Sequence, residues 1–379
     1  MRAEIVLSSP IAKSPRVLQV GGMFDVPPSE KSEVRLEADL PLEERPWNVG
    51  LVVGPSGCGK SSLARHFWPA EMARTFAWSK DRSLLDDFPA ELGIKDLTAL
   101  LSSVGFSSPP SWVRPFHVLS NGEQFRVSMA RLLAELPQLA VVDEFTSVVD
   151  RTVAQIGSHA VQKTVRRLNQ KLVAVSCHDD VEQWLNPDWV YRPAESRFAW
   201  RELQRRPAIE LQVNRVHHSA WRIFRRHHYL TAAHSKAAVC FIAFWRGRPV
   251  AWHSWLPFVG KVRRPTKRGH RTVCLPDYQG VGIGLALREF TSSMWRGLGF
   301  RVICNTAHPA EIAANLRSPN YRMIRGPSLA ARDGGKMRHM SVGRARATTR
   351  LVSSFEFVGP EMERERARDV LETWARVSW

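Results

Sequence analysis

The chain is short of paired cysteines. Its five, Cys58, Cys177, Cys240, Cys274 and Cys304, are scattered along 379 residues and include no Cys-x-x-Cys pair. That pattern excludes a disulfide framework and a cysteine zinc site, and reads as the reduced thiols of a cytoplasmic protein. Long apolar runs are missing too. The longest near-apolar stretch, Ala237 to Trp245, falls far short of the about 20 residues a helix needs to cross a bilayer. Met1-Arg2-Ala3-Glu4 lacks the basic-then-apolar pattern of a secretory signal. The expectation is a soluble protein with no membrane partner. No internal repeat or low-complexity tract is visible either.

Acidic residues are scarce in one half only. Residues 1–200 hold 22 Lys and Arg against 24 Asp and Glu, whereas residues 201–379 hold 32 against 12. The formal net charge of +18 therefore belongs to the second half. Such an imbalance marks a surface for nucleic acid or another polyanion. The length predicts two or three domains, each able to bury a core.

Strand and helix patterns alternate. Residues 1–50 read as short strands and turns, with apolar runs at Glu4–Leu7, Val17–Val20 and Val34–Leu36. Trp47–Val53 reads as a strand, Ser61 onward as a helix, and 80–118 as a small helical insert. Phe125–Glu135 has helical spacing, and Leu139–Val142 and Lys171–Ser176 are strands. This alternation predicts an α/β fold with a parallel sheet over 1–200. Charged residues Arg201 to Pro207 suggest a linker at 201–210, and 211–379 form a second domain. There the pattern gives a basic helix at 218–229 and a hairpin of Ala238–Trp245 with Pro249–Pro257. A strand at Arg271–Leu275, a helix at Leu285–Gly297, a strand at Arg301–Asn305 and a helix at Glu311–Leu316 follow. Residues 326–350 are Gly- and Arg-rich. Leu351–Val358 reads as a closing strand and Glu361–Trp379 as a terminal amphipathic helix.

Three segments of the first half carry phosphate chemistry. Gly54-Pro55-Ser56-Gly57-Cys58-Gly59-Lys60-Ser61, with Ser62 after it, lies between a strand and a helix. The glycines let backbone N–H groups close around phosphates, Lys60 supplies a cation, and the Ser61 hydroxyl is a Mg²⁺ ligand. Asp143-Glu144 follows the strand ending in Val141-Val142. Asp143 is placed to hold Mg²⁺ and Glu144 to activate the attacking water. Leu119-Ser120-Asn121-Gly122-Glu123-Gln124 precedes that strand.

Together these segments resemble an ABC-type ATPase over roughly residues 20–200. The run at 119–124 resembles the family's signature, Ser147-Val148-Val149-Asp150 its D-loop, and His178 its switch histidine. The resemblance implies ATP and Mg²⁺ binding, hydrolysis, and an ATP-dependent homodimer. The P-loop of one copy would face Ser120 and Gly122 of the other, with Asp150 nearby. The sequence departs from the pattern at three places. Asn121 stands at a position that is normally glycine, and Phe145 replaces a proline. No glutamine occurs between the P-loop helix and the signature, where Trp78-Ser79-Lys80-Asp81 is a candidate substitute. Phe24 is either an adenine-stacking aromatic or a core residue.

A second glycine-rich turn, Gln279-Gly280-Val281-Gly282-Ile283-Gly284, follows a strand and opens a helix. Small residues there let N–H groups reach a pyrophosphate at a helix N-terminus. Residues 210–358 are similar to the GNAT acyltransferases in this turn and in the order of elements around it. The resemblance implies acetyl-CoA or another acyl-CoA bound at 279–284. It also implies N–H groups at about Val273 to Pro276 that polarise the thioester carbonyl. His228 and Tyr229, in His227-His228-Tyr229, are candidates for a general base and a stacking platform. The pair is similar to one in Mom-type GNAT relatives that modify DNA bases. His308 is a further candidate, and Tyr321 stands near the tyrosine that reprotonates the CoA thiolate. The basic segments Lys261–Arg271 and Arg332–Arg350 are candidates for phosphate contacts, while Trp252 and Trp255 read as core.

The sequence thus predicts a P-loop ABC-type ATPase domain followed by a GNAT-like α+β domain. The expected function is ATP-dependent acyl transfer to an amine on nucleic acid. A protein N-acetyltransferase and a non-catalytic, ATP-gated nucleic-acid binder remain as alternatives.

Overall fold

The computed structural model describes residues 1–24, 29–72, 76–201, 208–229, 232–258, 264–329 and 351–375. In chain order its elements begin with β1 (Arg2–Pro10), α1 (Pro15–Phe24), β2 (Lys31–Asp39), β3 (Val49–Val53), α2 (Lys60–Phe67), α3 (Ile94–Ser103), α4 (Pro109–Trp112) and α5 (Asn121–Glu135). Next come β4 (Leu139–Val142), α6 (Arg151–Leu168), β5 (Lys171–Ser176), α7 (Val181–Leu185), β6 (Trp189–Arg192), β7 (Arg197–Trp200), β8 (Gln212–Val216) and α8 (Trp221–Phe224). The chain continues with β9 (Val239–Trp245), β10 (Arg248–Pro257), β11 (Thr266–Cys274), α9 (Ile283–Gly297), β12 (Arg301–Thr306), α10 (Pro309–Arg317), β13 (Tyr321–Ser328), β14 (Val352–Phe357) and α11 (Arg364–Glu372). These form two compact units that are discontinuous in sequence. The first is Met1–Phe76, Glu135–Val148 and Val165–Arg205; the second is Ala77–Ala134, Val149–Thr164 and Arg206–Trp379.

The first unit is built on a five-stranded sheet in the order β4-β5-β3-β6-β7. Its first four strands are parallel and β7 runs antiparallel to β6. Every residue of β3, Val-Gly-Leu-Val-Val, is buried, as expected of a parallel strand covered on both faces. Gly50 is required there because any Cβ would enter the Trp189 ring. β1 and β2 form a separate antiparallel ribbon, Arg2 opposite Asp39. Between them, the strand expected at Val17–Val20 is instead helix α1. Pro15 sits at its first position, where the fixed proline φ favours helix initiation. α1 buries no residue, and Phe24 at its end is 70% exposed, so it is not a core residue.

The second unit holds a seven-stranded sheet, β13-β14-β12-β11-β10-β9-β8. β11 and β12 are parallel and the other neighbours antiparallel. The β9–β10 hairpin turns on Arg246 (φ +50°) and Gly247 (φ +75°), the two left-handed residues of a type I′ turn. One face of the sheet packs Ala251, Trp255, Val302 and Phe355 with Leu287, Met294 and Trp295 of α9. The other packs Ile242, Trp252 and Val273 with Trp221 and Phe224. Trp252 and Trp255 are thus core, as read from sequence.

Several expectations in this unit need correcting. Residues 218–229 are not one helix but two 3₁₀ turns around the short α8. The terminal helix spans only Arg364–Glu372. The Gly- and Arg-rich stretch begins inside β13, and β8 carried no expectation at all. Arg332–Arg350, Lys261–Arg263 and most of the 201–210 linker lie outside the described residues. Among the described residues no helix is long and apolar enough to cross a membrane.

One buried charge ties α9 to α10 and β13. Arg288 is fully buried and hydrogen-bonds Glu311, Asn315 and the Tyr321 hydroxyl. Burial is the largest single influence and works against its charge, but Glu311, Tyr321 and Cys304 together outweigh it and raise the guanidinium pKa above its ordinary value. Arg288→Met is expected to destabilise the protein by about 3 kcal/mol, because Glu311 and Asn315 lose their partner. Equilibrium urea unfolding followed by circular dichroism measures this; a change under about 1 kcal/mol contradicts the network.

Candidate functional site

The phosphate loop of the first unit leaves the end of β3 and enters α2. Gly57 (φ +84°) and Gly59 (φ +86°) hold left-handed backbone, which turns the chain back over the helix start. Gly59 is also the N-cap. The N–H groups of the following turn, Lys60 to Ser62, have no partner inside the helix. At Gly59 an added Cβ would overlap Leu36 of β2, so the ribbon seals one side of the loop. The Lys60 ammonium lies over the loop and donates to the Pro55 carbonyl at 2.7 Å, with the Cys58 Sγ at 3.9 Å.

Ser61 and Asp143 meet as expected of two ligands for one cation. The Ser61 hydroxyl donates to Asp143 Oδ1 at 2.9 Å. Hard oxygen donors beside a phosphate loop fit Mg²⁺, which neutralises phosphate charge when bound. Glu144 follows on a left-handed residue (φ +52°) with its side chain exposed. Phe145 is anchored where the family pattern has proline: its N–H donates to the Val175 carbonyl at 2.8 Å and its ring is buried. A proline could make no such bond. The Phe145 carbonyl accepts from the Ser176 hydroxyl, which also accepts from the His178 N–H at 3.1 Å. The strand end bearing Asp143 and Glu144 and the turn bearing His178 are thereby fastened together.

In the second unit, the signature run starts α5 with a reciprocal cap. Ser120 N and Oγ both donate to Glu123 Oε2 at 3.1 Å, and the Ser120 Oγ accepts from the Glu123 N–H. Ser120 is exposed and Gly122 is buried against Val153. Asp150, expected in the D-loop, caps α6: its Oδ1 accepts from Thr152 N at 2.9 Å and Val153 N at 3.1 Å. The segment Trp78-Ser79-Lys80-Asp81, the candidate substitute for the missing glutamine, is otherwise engaged. Ser79 bonds Asp87 through both N–H and hydroxyl, and Trp78 stacks on Phe116.

The same unit holds the second glycine-rich turn. β11 pairs with β12 only at Thr266↔Arg301, Lys267↔Val302 and Arg268↔Ile303, yet runs on along β10 to Cys274. The two parallel strands therefore part, and among the described residues no strand pairing with β12 continues along Gly269–Cys274 on the side away from β10. Gly282 (φ +93°) is the N-cap of α9, with nothing within 4 Å of a Cβ placed on it. The first turn, including Ile283 and Gly284, offers N–H groups without intrahelical partners. Val281 is half-buried between the two glycines. Gln279 is placed differently from the sequence expectation. Its Nε2 donates to the Cys274 carbonyl at 2.9 Å and its Oε1 accepts from Ser107 N at 2.7 Å. Its own N–H donates to Pro276. Gln279 bridges two segments, and the turn's donors begin at Gly280.

The acceptor-side candidates are partly brought together. The His228 and Tyr229 rings are 5.1 Å apart, and Tyr229 lies 5.5 Å from His308. His308 Nε2 is 3.2 Å from the Ser107 carbonyl, and burial lowers its pKa. Tyr321 is elsewhere, its buried hydroxyl accepting from Arg288 Nε at 3.0 Å. Burial pushes that phenol up to about 12. Sequence reasoning missed two residues, Arg126 and Asp277. Fully buried Arg126 donates to the carbonyls of Pro276 at 2.8 Å and Asp277 at 2.9 Å. An arginine on the apolar face of α5 was the available signal. Lys267, expected at a phosphate, instead places its ammonium 4.2 Å from the Trp295 ring centroid.

No family model matches the chain. Over part of its length it is 33% identical to mouse (Mus musculus) ATP-binding cassette sub-family D member 3, with 29% of this chain and 22% of that protein covered. It is 28% identical to the Fe(3+) ions import ATP-binding protein FbpC of Streptomyces coelicolor, with 45% of this chain and 59% of that protein covered. The chain thus spans under two thirds of each relative. Among solved structures it is similar to cbiO1 from Clostridium perfringens, with 18% identity and a TM-score of 0.35. That match covers 40% of this chain and 75% of cbiO1. The loop geometry and the relatives together give an α/β protein with an ABC-ATPase-like domain.

Proposed function

We propose, from that ABC-ATPase-like domain, that the chain binds and hydrolyses Mg²⁺-ATP as a homodimer. Coupled to this, it transfers an acyl group from acyl-CoA to an amine on nucleic acid in the cytoplasm. The observation that carries the ATP half is the Ser61–Asp143 bond at the foot of the glycine loop. Hydrolysis uses Glu144 as the base, with His178 fastened beside the Asp143–Glu144 strand end. The signature Ser120 and Gly122 of one copy serve the P-loop of the other.

The acyl-CoA half rests on the parting of β11 from β12 next to a helix that opens on Gly282. The expected N–H donors at Val273–Pro276 narrow to one. Pro276 has no N–H, and Leu275 N donates to Val250. Alternation along an antiparallel pair then directs the Cys274 N–H away from β10, toward the side where β12 has parted. Exposed Arg222, Arg225 and Arg226 lie just before His228 and Tyr229, and supply positive charge for phosphate contacts. The division into an ATPase part at 1–200, a linker at 201–210 and an acyltransferase part at 211–379 belongs to the same proposal.

The test is incubation with labelled acetyl-CoA and duplex DNA, tRNA or a protein extract, with and without ATP. Label is expected on nucleic acid, is lost in Gly282→Asp, and substrate binding weakens steeply with salt. Label on protein alone selects a protein N-acyltransferase. No label on any acceptor, with tight ATP-dependent DNA binding, rejects acyl transfer and leaves an ATP-gated binder.

A further inference from the structure

Two motifs far apart in sequence are joined inside the second unit. Arg126 lies one helical turn beyond Gly122 and Glu123 on α5, and its guanidinium holds the carbonyls of Pro276 and Asp277. These two residues lead directly into the turn at 279–284. The contact continues on both sides. A Cβ on Gly122 would lie 3.7 Å from Asp277 Oδ1, so this exposed carboxylate stands beside the signature glycine. Gln279 is tied to Ser107. Gly280 packs so closely on Gly105 that a Cβ would sit 2.7 Å from the Gly105 Cα. Burial lowers the Arg126 pKa, and Asp277 is the strongest opposing charge.

We propose that Arg126 is a positioning residue for the 276–284 turn, through which nucleotide at the signature segment and CoA at the turn change each other's affinity. This rests on the reading above for both ligands. A nucleotide phosphate at Ser120 and Gly122 brings negative charge against the Asp277 carboxylate. In a partly desolvated site that repulsion is poorly screened. Asp277 relieves it by moving, and Arg126 and Gln279 pass the movement to the turn whose N–H groups face the CoA phosphates. The coupling is therefore negative. It is also reciprocal, because binding free energies close a cycle.

The experiment is calorimetric titration of free coenzyme A into the full chain, with and without Mg²⁺ and a non-hydrolysable ATP analogue. Sedimentation in the same samples reports the dimer. The analogue is expected to weaken coenzyme A by about fivefold or more, and coenzyme A to weaken the analogue by the same factor. Asp277→Asn keeps the backbone carbonyl and reduces the factor. Arg126→Met removes it, and Arg126→Lys restores part. The wild-type comparison decides even if the Arg126 variants fail to fold. Analogue-induced dimers that bind coenzyme A with an unchanged or tighter Kd overturn the linkage while leaving both ligand readings intact. Absence of coenzyme A binding overturns the acyl-CoA reading and the linkage together. Absence of an analogue-dependent dimer does the same through the ATPase reading.

Discussion

Gly280→Val is expected to destabilise the second unit by about 4 kcal/mol, from left-handed strain and overpacking acting together. Gly280 has φ +91°, and a Cβ there would stand 2.7 Å from the Gly105 Cα and 2.9 Å from the Ala160 Cβ. Neither neighbour can yield cheaply. Gly105 itself has φ +90°, and its own Cβ position is closed by the Gln279 carbonyl at 2.7 Å. A β-branched side chain adds to this because it tolerates positive φ poorly. Gly282→Ala is the control. Its φ is +93° but nothing lies within 4 Å, so it carries the backbone strain alone, about 1–2 kcal/mol. The difference between the two variants in equilibrium denaturation measures the packing. Equal losses would mean that the two glycines do not approach as closely as described.

The fold was legible where local chemistry alone decides it. Leu139–Val142 and Lys171–Ser176 match their observed bounds, because short apolar runs flanked by polar residues suit a buried parallel strand. The β9–β10 hairpin followed from Arg246-Gly247 between two apolar runs. Elements at the margins were not legible. β13 carries Arg322, Arg325, Gly326 and Pro327 with most residues exposed. It is an edge strand, where a proline and charges are tolerated and no alternation marks the pattern. α1 buries nothing, and its short apolar run Val17–Val20 was read as a strand although Val17, Val20 and Phe24 share a helical spacing.

The candidate phosphate-loop residues could be picked out because each motif is contiguous and its chemistry is local. Ser61 and Asp143 were paired from motif logic, and their side chains meet. The use of Gln279 was not legible. Its partners, Ser107 and Cys274, lie 172 residues upstream and five residues upstream, and only the folded unit shows that its amide bridges them. Arg126 poses the same problem across 150 residues. A buried arginine answers to carbonyls that a sequence pattern cannot locate. The discontinuous units have the same origin, since 77–134 pack with a sheet that begins beyond residue 210.

Glu144→Gln is expected to lower ATP turnover by about 10²–10⁴-fold, the usual contribution of a positioned general base. The main chain around it is held firmly. The Glu144 carbonyl accepts from Ser147 N at 3.0 Å and Ser147 Oγ at 2.6 Å, and Phe145 N is fixed to Val175. Among the described residues no hydrogen bond or ion pair engages the Glu144 carboxylate, which is exposed to incoming water and nucleotide. Glutamine matches its shape and hydrogen-bonding reach but cannot take the proton. ATP affinity and unfolding midpoint should therefore stay at wild-type values while phosphate release collapses. Asp143→Asn provides the contrast: it removes charge from the Mg²⁺ side and should weaken Mg²⁺-ATP binding itself. Measuring nucleotide affinity and phosphate release for both variants separates the roles. If Glu144→Gln keeps a third or more of wild-type turnover, the base is another group. The anchoring of Phe145 would then serve only to shape the turn.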